Sequence, residues 1–384
     1  MGLAALGPIS TDLYLPSLPS IGREFNASQA EVQATLSIFL IGFACSVLIC
    51  GTLSDGWGRR PVLLYALAGF SLASIMCAFS PSIEFLWLFR LCQALAAGAG
   101  PVITRAIVRD THHQADSLRM MSYLSAGVGI APLLGPFIGG ILETSLSWRA
   151  NFAFLSLYSA VGFFLAWLYL PETNPTQNDV VKRYGDLLRI YSLLLRDKLY
   201  IGFVLCAGFA FSGMFSFISG SSFVFIQVLH VEPRFFGFYF SLFVLGFISG
   251  ASLGGRLTKR WISKDIIFAG SLLSLAAGSF LIIAAYFELS LLWQVLPLYP
   301  YMVGMGLIGP SAQAASVAPH PQAAGAAGGL LNFLTIICAS LTGALLAQIP
   351  LYSAFPMYVF MTVGAFLVLV VYLFMNKNQN RYSS

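Results

Sequence analysis

Residues 38–60 read IFLIGFACSVLICGTLSDGWGRR. The first thirteen carry no charge, and the apolar stretch extends back to Val32 and forward to about Ser54. Some 20 consecutive apolar residues are what a helix needs to cross the hydrocarbon of a bilayer. The run then ends abruptly in small, acidic and basic residues, as a span does on reaching water. A second stretch, 242–264, reads LFVLGFISGASLGGRLTKRWISK. At a constant offset Phe39 meets Phe243, Gly42 meets Gly246 and Phe43 meets Phe247. Gly51, Leu53 and Trp57 then meet Gly255, Leu257 and Trp261. The pattern of a charge-free run followed by a Gly- and Trp-bearing basic loop thus occurs twice.

Working outward, twelve such runs are expected, near 1–18, 32–54, 61–80, 84–108, 121–143, 150–170, 199–222, 235–257, 265–287, 291–315, 324–348 and 354–375. The composition agrees: of 384 residues 58% are hydrophobic and only 9% charged, too few charges to cover a water-soluble surface. The polar exception is 171–198, which divides the runs six and six. This predicts an all-α integral membrane protein of twelve transmembrane helices in two pseudo-symmetric halves. The N-terminal bundle is 1–170, the cytoplasmic central loop 171–198, and the C-terminal bundle 199–384. Parallel six-helix repeats are one way to build a transporter, with its substrate site where they meet near the midplane. The first run gives a helix about 27 Å long, barely a crossing, with no basic residue before Arg23. A start several residues further upstream is therefore expected.

Basic residues set the orientation. With the central loop inside, fifteen Lys and Arg fall on inner segments and three (Arg23, Arg149, Arg234) on outer ones, the bias of the positive-inside rule. Both termini are then cytoplasmic. The six cysteines all lie within apolar runs, which argues for packing rather than a disulfide framework. His112 and His113 are adjacent and unsupported by a second cluster, so no metal is expected. No nucleotide loop or hydrolase motif appears. Cofactors, nucleic-acid binding and enzymatic chemistry are not expected.

Four motifs carry a family resemblance. Gly51-Thr-Leu-Ser-Asp55-Gly-Trp-Gly58-Arg59-Arg60 resembles the loop signature between helices 2 and 3 of the major facilitator superfamily. Gly127-Val-Gly-Ile-Ala-Pro132-Leu-Leu-Gly135-Pro136-Phe-Ile-Gly139-Gly140 resembles the helix-5 antiporter signature of its twelve-helix drug/proton exchangers. Leu86-Trp-Leu-Phe-Arg90-Leu-Cys-Gln93 resembles their helix-4 signature. Gly7-Pro-Ile-Ser-Thr-Asp12-Leu-Tyr-Leu-Pro16 is similar to the opening of the bicyclomycin-resistance/phenicol (chloramphenicol/florfenicol) exporters. One departure stands out: Gly56 follows Asp55 where the superfamily usually has Arg, which leaves charge pairing in that loop to Arg59 or Arg60.

Charges inside spans are costly and mark function. Asp12 lies six residues before the outer end of the first run, and Arg90 six residues after the outer start of the fourth. Six residues rise about 9 Å, so the two lie at similar depth. Loss of water favours a protonated carboxyl and a nearby arginine favours the charged form, a balance suited to proton coupling. The competing reading is a static ion pair, or an Asp12 that caps a kink at Pro16. For the helix 2–3 loop, Gly51 and Gly58 permit close backbone approach. Asp55 can face the amide end of helix 11, and the resemblance implies a charge chain through Arg59 and Asp110. Together these suggest a cytoplasmic gate; a plain positive-inside anchor would explain the arginines alone. In helix 5, Gly127, Gly135, Gly139 and Gly140 offer a flat packing face, and Pro132 and Pro136 a bend. These suit a sealing contact with the other half, or ordinary packing.

The substrate cavity is expected to be apolar, with Tyr14, Tyr123, Phe211, Phe215 and Asn332 on its walls and Phe217, Phe223 and Phe225 near them; exposure to lipid is the alternative for any single Phe. Such a cavity suits small amphiphilic, drug-like molecules better than sugars. The sequence thus points to a proton-coupled efflux antiporter in a bacterial inner membrane, its partners being substrate, protons and lipid, with a monomer sufficient. A metabolite exporter or importer of the same fold, and a non-transporting membrane receptor, are the alternatives.

Overall fold

A chain in hydrocarbon must satisfy every backbone amide and carbonyl internally, which leaves helices or a closed barrel. In the computed structural model, which describes residues 2–111, 114–174 and 189–380, the choice is helices, with no strand among the described residues. Eleven of them are long and apolar enough to cross a membrane. Side chains such as Tyr65, Leu72, Leu168 and Phe374 are more than half exposed, as lipid-facing positions require.

By its contacts the chain forms two compact units, 1–185 with 231–237, and 186–230 with 238–384. In the first, the opening segment is helical in four pieces: a 3-10 turn Gly2–Ala5, α1 (Leu6–Asp12), a second 3-10 turn Leu15–Ser17, and α2 (Leu18–Phe25). The uninterrupted helix expected over 1–18 is thus corrected. Pro16 has no N–H to donate, and the chain turns there through the Ser17 amide on the Tyr14 carbonyl, 2.9 Å, before continuing to Asn26 in the left-handed region.

The remaining first-unit helices are α3 (Gln29–Trp57), α4 (Arg59–Ala78), α5 (Ile83–Ala97), α6 (Ala99–Thr111), α7 (Gln114–Ser145) and α8 (Trp148–Tyr169). Ser28 opens α3 with a capping box to Glu31. The run expected at 84–108 is one span but two helices, broken at Gly98. There α3 comes so close that an added Cβ would stand 2.7 Å from that of Ser46, and Pro101 withholds an amide a few residues on. Within the unit α4 packs on α5 and α8, and α3 on α5.

In the second unit a short helix, α9 (189–194), precedes α10 (Lys198–Ser222). The latter continues through a π-helical turn, Phe223–Val228. Next come α11 (Pro233–Leu257), whose first five residues belong to the first unit, α12 (Ser263–Tyr286), α13 (Leu291–Val295), α14 (Leu298–Val317), α15 (Ala324–Ala347) and α16 (Phe355–Asn380). The run expected at 291–315 is likewise interrupted, at Pro297 between α13 and α14. α12 packs on α14 and α16, and α10 on α14, α15 and α16.

The sequence repeat has a packing cause. An added Cβ at Gly42 would lie 2.9 Å from that of Ala94, and one at Gly246 2.9 Å from that of Met302. Each glycine lets its helix, α3 or α11, lie flush against a partner, α5 or α14.

Candidate functional site

Three groups of residues carry the chemistry, each within one unit. The first surrounds Arg90. Its guanidinium is fully buried and boxed by rings, its carbon 4.2 Å from the Phe39 centroid, 4.5 Å from Tyr14 and 5.7 Å from Phe152. Desolvated cation–π contacts of this kind are worth about 2 kcal/mol or more. Nη1 donates to the Ser10 carbonyl at 3.1 Å and to Gln93 Oε1 at 2.5 Å, and Gln93 passes the chain on to Ser74 Oγ at 2.7 Å. Nε and Nη2 find no acceptor among the described residues. The Tyr14 hydroxyl is bonded to Thr35 Oγ1, 2.8 Å.

Asp12, at the end of α1, is 4% exposed and accepts from its neighbour Thr11 Oγ1 at 3.1 Å. No ion pair joins it to Arg90 among the described residues: Asp12 ends α1 and Arg90 lies in α5 of the same unit, where its guanidinium bonds the Ser10 carbonyl two residues before Asp12. α7 closes over this region. A Cβ at Gly135 would stand 3.2 Å from that of Asp12, and one at Gly139 would run into the Leu13 carbonyl. Gly140 meets the Pro233 carbonyl of the same unit in the same way. Pro132 and Pro136 both lie inside α7; Gly127 is half-buried on it. One turn beyond Gly139, Glu143 Oε2 accepts from Ser17 Oγ at 2.5 Å, and Ser17 Oγ accepts from Asn151 Nδ2 at 2.8 Å.

The second group lies where α3 meets α4. Arg59, 5% exposed, is the hub. Nη1 reaches Asp55 Oδ1 at 2.6 Å and Ser54 Oγ at 2.7 Å, and Nε reaches Asp110 Oδ2 at 3.1 Å. The acid–base–acid chain is therefore present in one unit despite Gly56. Gly58 has φ +98°, a conformation costly for any side chain. Gly51 is under no such constraint, since an added Cβ would meet Val102 at 3.7 Å, an ordinary contact.

Sequence reasoning missed Glu172 here. Its carboxylate accepts from the backbone amides of Arg59 (2.9 Å), Arg60 (3.1 Å), Thr173 (3.0 Å) and Asn174 (2.9 Å), so it caps the amide end of α4. Partial burial pushes its pKa up, but these amides outweigh that and hold it below the usual carboxylate range. The available signal was a lone acid in Pro171-Glu172-Thr173, immediately after a span.

The third group is a cavity of about 190 Å³ inside the second unit, bounded by α10, α11, α14 and α15. Phe211 and Asn332 line it, beside Met214, Phe247, Gln313 and Thr335. Gln313 and Thr335 had no signal in sequence beyond being polar residues in apolar helices. Phe215, Phe217, Phe223 and Phe225 are instead buried, with Phe217 stacked 3.9 Å from Phe243. Tyr123 is 41% exposed, and its hydroxyl accepts from Arg119 Nε at 3.2 Å. His112, His113 and most of the central loop, 175–188, lie outside the described residues.

A helical membrane bundle with buried charges that form no ion pair among the described residues, an arginine-centred loop and a partly polar cavity is a build suited to transport. Comparison with known proteins gives the family. Residues 1–341 match the Major Facilitator Superfamily, and the chain belongs to it. It is 32% identical to the uncharacterized MFS-type transporter YdgK of Bacillus subtilis, covering 94% of this chain and 90% of the relative. It is 28% identical to the bicyclomycin resistance protein homolog of Haemophilus influenzae (96% and 92% covered). To multidrug resistance protein D of Escherichia coli it is 27% identical (97% and 93% covered). A crystal structure of a POT family transporter in complex with a thioalcohol-conjugated peptide superposes with a TM-score of 0.76 at 12% identity, covering 100% of this chain and 96% of that one; this likeness concerns the fold. The protein is thus a multi-pass membrane transporter of a non-enzymatic family.

Proposed function

We propose that this chain is a proton-coupled antiporter that exports small amphiphilic, drug-like compounds by alternating access from a bacterial inner membrane. In this reading both termini are cytoplasmic and a monomer is sufficient. Relatives named for bicyclomycin and multidrug resistance support the efflux assignment. The observation that carries the coupling is the pair of buried charges in one unit, Asp12 and Arg90, which form no ion pair among the described residues although Arg90 bonds the Ser10 carbonyl two residues before Asp12. A carboxyl with no cationic partner is free to exchange its proton. An arginine whose Nε and Nη2 are unsatisfied is poised to stabilise the carboxylate once that proton has left. Proton and drug then bind the two facing states with different affinities, which drives the cycle. The Asp55–Arg59–Asp110 chain acts as a cytoplasmic gate that changes partners between states. The glycine face of α7 seals against leak.

Proton flux in energised inverted vesicles tests the coupling. Phenicol addition is expected to collapse the pH gradient with the wild type and not with Asp12→Asn. A full collapse with Asp12→Asn refutes Asp12 as carrier.

A further inference from the structure

The second-unit cavity has two unlike walls. Phe211, Met214 and Phe247 make one of them apolar and polarisable, while Gln313, Asn332 and Thr335 bring an amide, a second amide and a hydroxyl to the other. These polar groups are unspent. Many serine and threonine hydroxyls in the spans return to the carbonyl one turn back, as Ser74 does to Phe70, Ser216 to Ser212, Thr342 to Cys338 and Thr362 to Tyr358, whereas Ser212 Oγ of α10 is buried without a partner among the described residues. Thr335 does not: its Oγ1 is buried and has no partner among the described residues. Neither side-chain amide has a bonding partner among those residues either, Asn332 being half-buried and Gln313 exposed at the rim.

A buried polar group left unpaired, as Thr335 Oγ1 is, is costly and calls for an explanation. Charge is absent as well. The described carboxylates of this unit, Asp197, Asp265 and Glu288, stand at helix ends, and none lines the cavity. A cation entering here would lose its water with no counter-charge. A neutral amide or hydroxyl would find donors and acceptors of both kinds.

We infer that this cavity is a substrate subsite for the uncharged, hydrogen-bonding end of an amphiphile, with Gln313, Asn332 and Thr335 as its recognition set, and that it discriminates against cations. The inference rests on the export reading above and names the substrate class of that site. The apolar portion of such a molecule lies on Phe211, Met214 and Phe247. Removing one hydrogen-bonding group from the wall weakens binding roughly tenfold.

Two probes test it: chloramphenicol, a neutral amide with two hydroxyls, and tetraphenylphosphonium, a permanent cation. Binding is read by scintillation proximity on purified protein, and flux in proteoliposomes. The expected result is chloramphenicol binding at least tenfold tighter than that of the cation, weakened roughly tenfold by Thr335→Val and by Asn332→Leu, with Gln313→Glu admitting the cation. Circular dichroism and monodisperse elution identify variants that fold, and Thr335→Ser, which keeps the hydroxyl, is expected to restore binding. Unchanged affinity in folded Thr335→Val and Asn332→Leu, or equal binding of the two probes, overturns the subsite whatever the flux. Selective binding without wild-type flux upholds the subsite and overturns the export reading. No wild-type binding of chloramphenicol overturns both.

Discussion

Replacing Gly58 by alanine perturbs two things that the structure separates. At φ +98° an added side chain strains the backbone by about 1–3 kcal/mol. The new Cβ would also stand 2.5 Å from Glu172 Oε2, so the carboxylate must leave the four amides it caps. Glu172 is solvent-exposed and water replaces part of that interaction, so the cap is worth about 1–2 kcal/mol. Gly58→Ala is therefore expected to cost about 2–5 kcal/mol in all, and Glu172→Ala about 1–2 kcal/mol. The double variant should resemble Gly58→Ala alone, because the cap is already lost there. The coupling is thus about 1–2 kcal/mol. Thermal unfolding in detergent, followed by tryptophan fluorescence, reads it at about 2–4 °C per kcal/mol for a unit of this size. Trp57, Trp87, Trp148 and Trp167 belong to the first unit, so the signal reports mainly on the perturbed region. Strict additivity of the two substitutions, or a Gly58→Ala shift of less than about 2 °C, refutes the reasoning.

Glu172 also makes the first unit acid-sensitive. Its pKa is lowered on folding, so its contribution is complete above the ordinary carboxylate range and disappears as pH falls through the depressed folded value. The stability gap between wild type and Glu172→Gln should be flat at neutral pH and close on acidification, as melting curves taken across that range would reveal. Arg59→Ala takes their shared cation from Asp55 and Asp110, which are 30% and 18% exposed, and leaves Asp110 only the distant Arg109, 3.8 Å away; partial solvation holds the cost to about 2 kcal/mol, and Asp110→Asn in that background should recover part of it in the same melt. Gly139→Val forces a side chain into the Leu13 carbonyl. Overpacking of about 3 kcal/mol or more is expected to lower the yield of monodisperse protein on size exclusion, whereas Gly129→Ala, which meets nothing within 4 Å, should leave it unchanged.

Much of the architecture was legible in the chain before folding. In lipid the helix is forced on any apolar run of sufficient length, so hydropathy alone locates the spans. The breaks at Pro16, Gly98 and Pro297 were harder to read. Proline and glycine inside membrane helices bend, interrupt or merely pack, according to which neighbour re-satisfies the freed amides. The Arg59–Asp110 pairing was legible only through family likeness, since the two lie far apart in sequence.

What the sequence by itself determined is the set of helices, the repeat through Gly42 and Gly246, and the presence of costly charges at Asp12 and Arg90. All of these follow from local composition in a medium that tolerates few polar groups. Only the tertiary structure decided which of those groups meet. Asp12 stays with Thr11 while Arg90 spends one nitrogen on Ser10 and Gln93; Glu172 crosses more than a hundred residues to cap α4; and Gln313, Asn332 and Thr335 converge from two helices on one cavity. Hydrogen bonds reach about 3 Å, far less than the spacing of the helices that carry them, so partnership is fixed by side-chain packing and not by position along the chain.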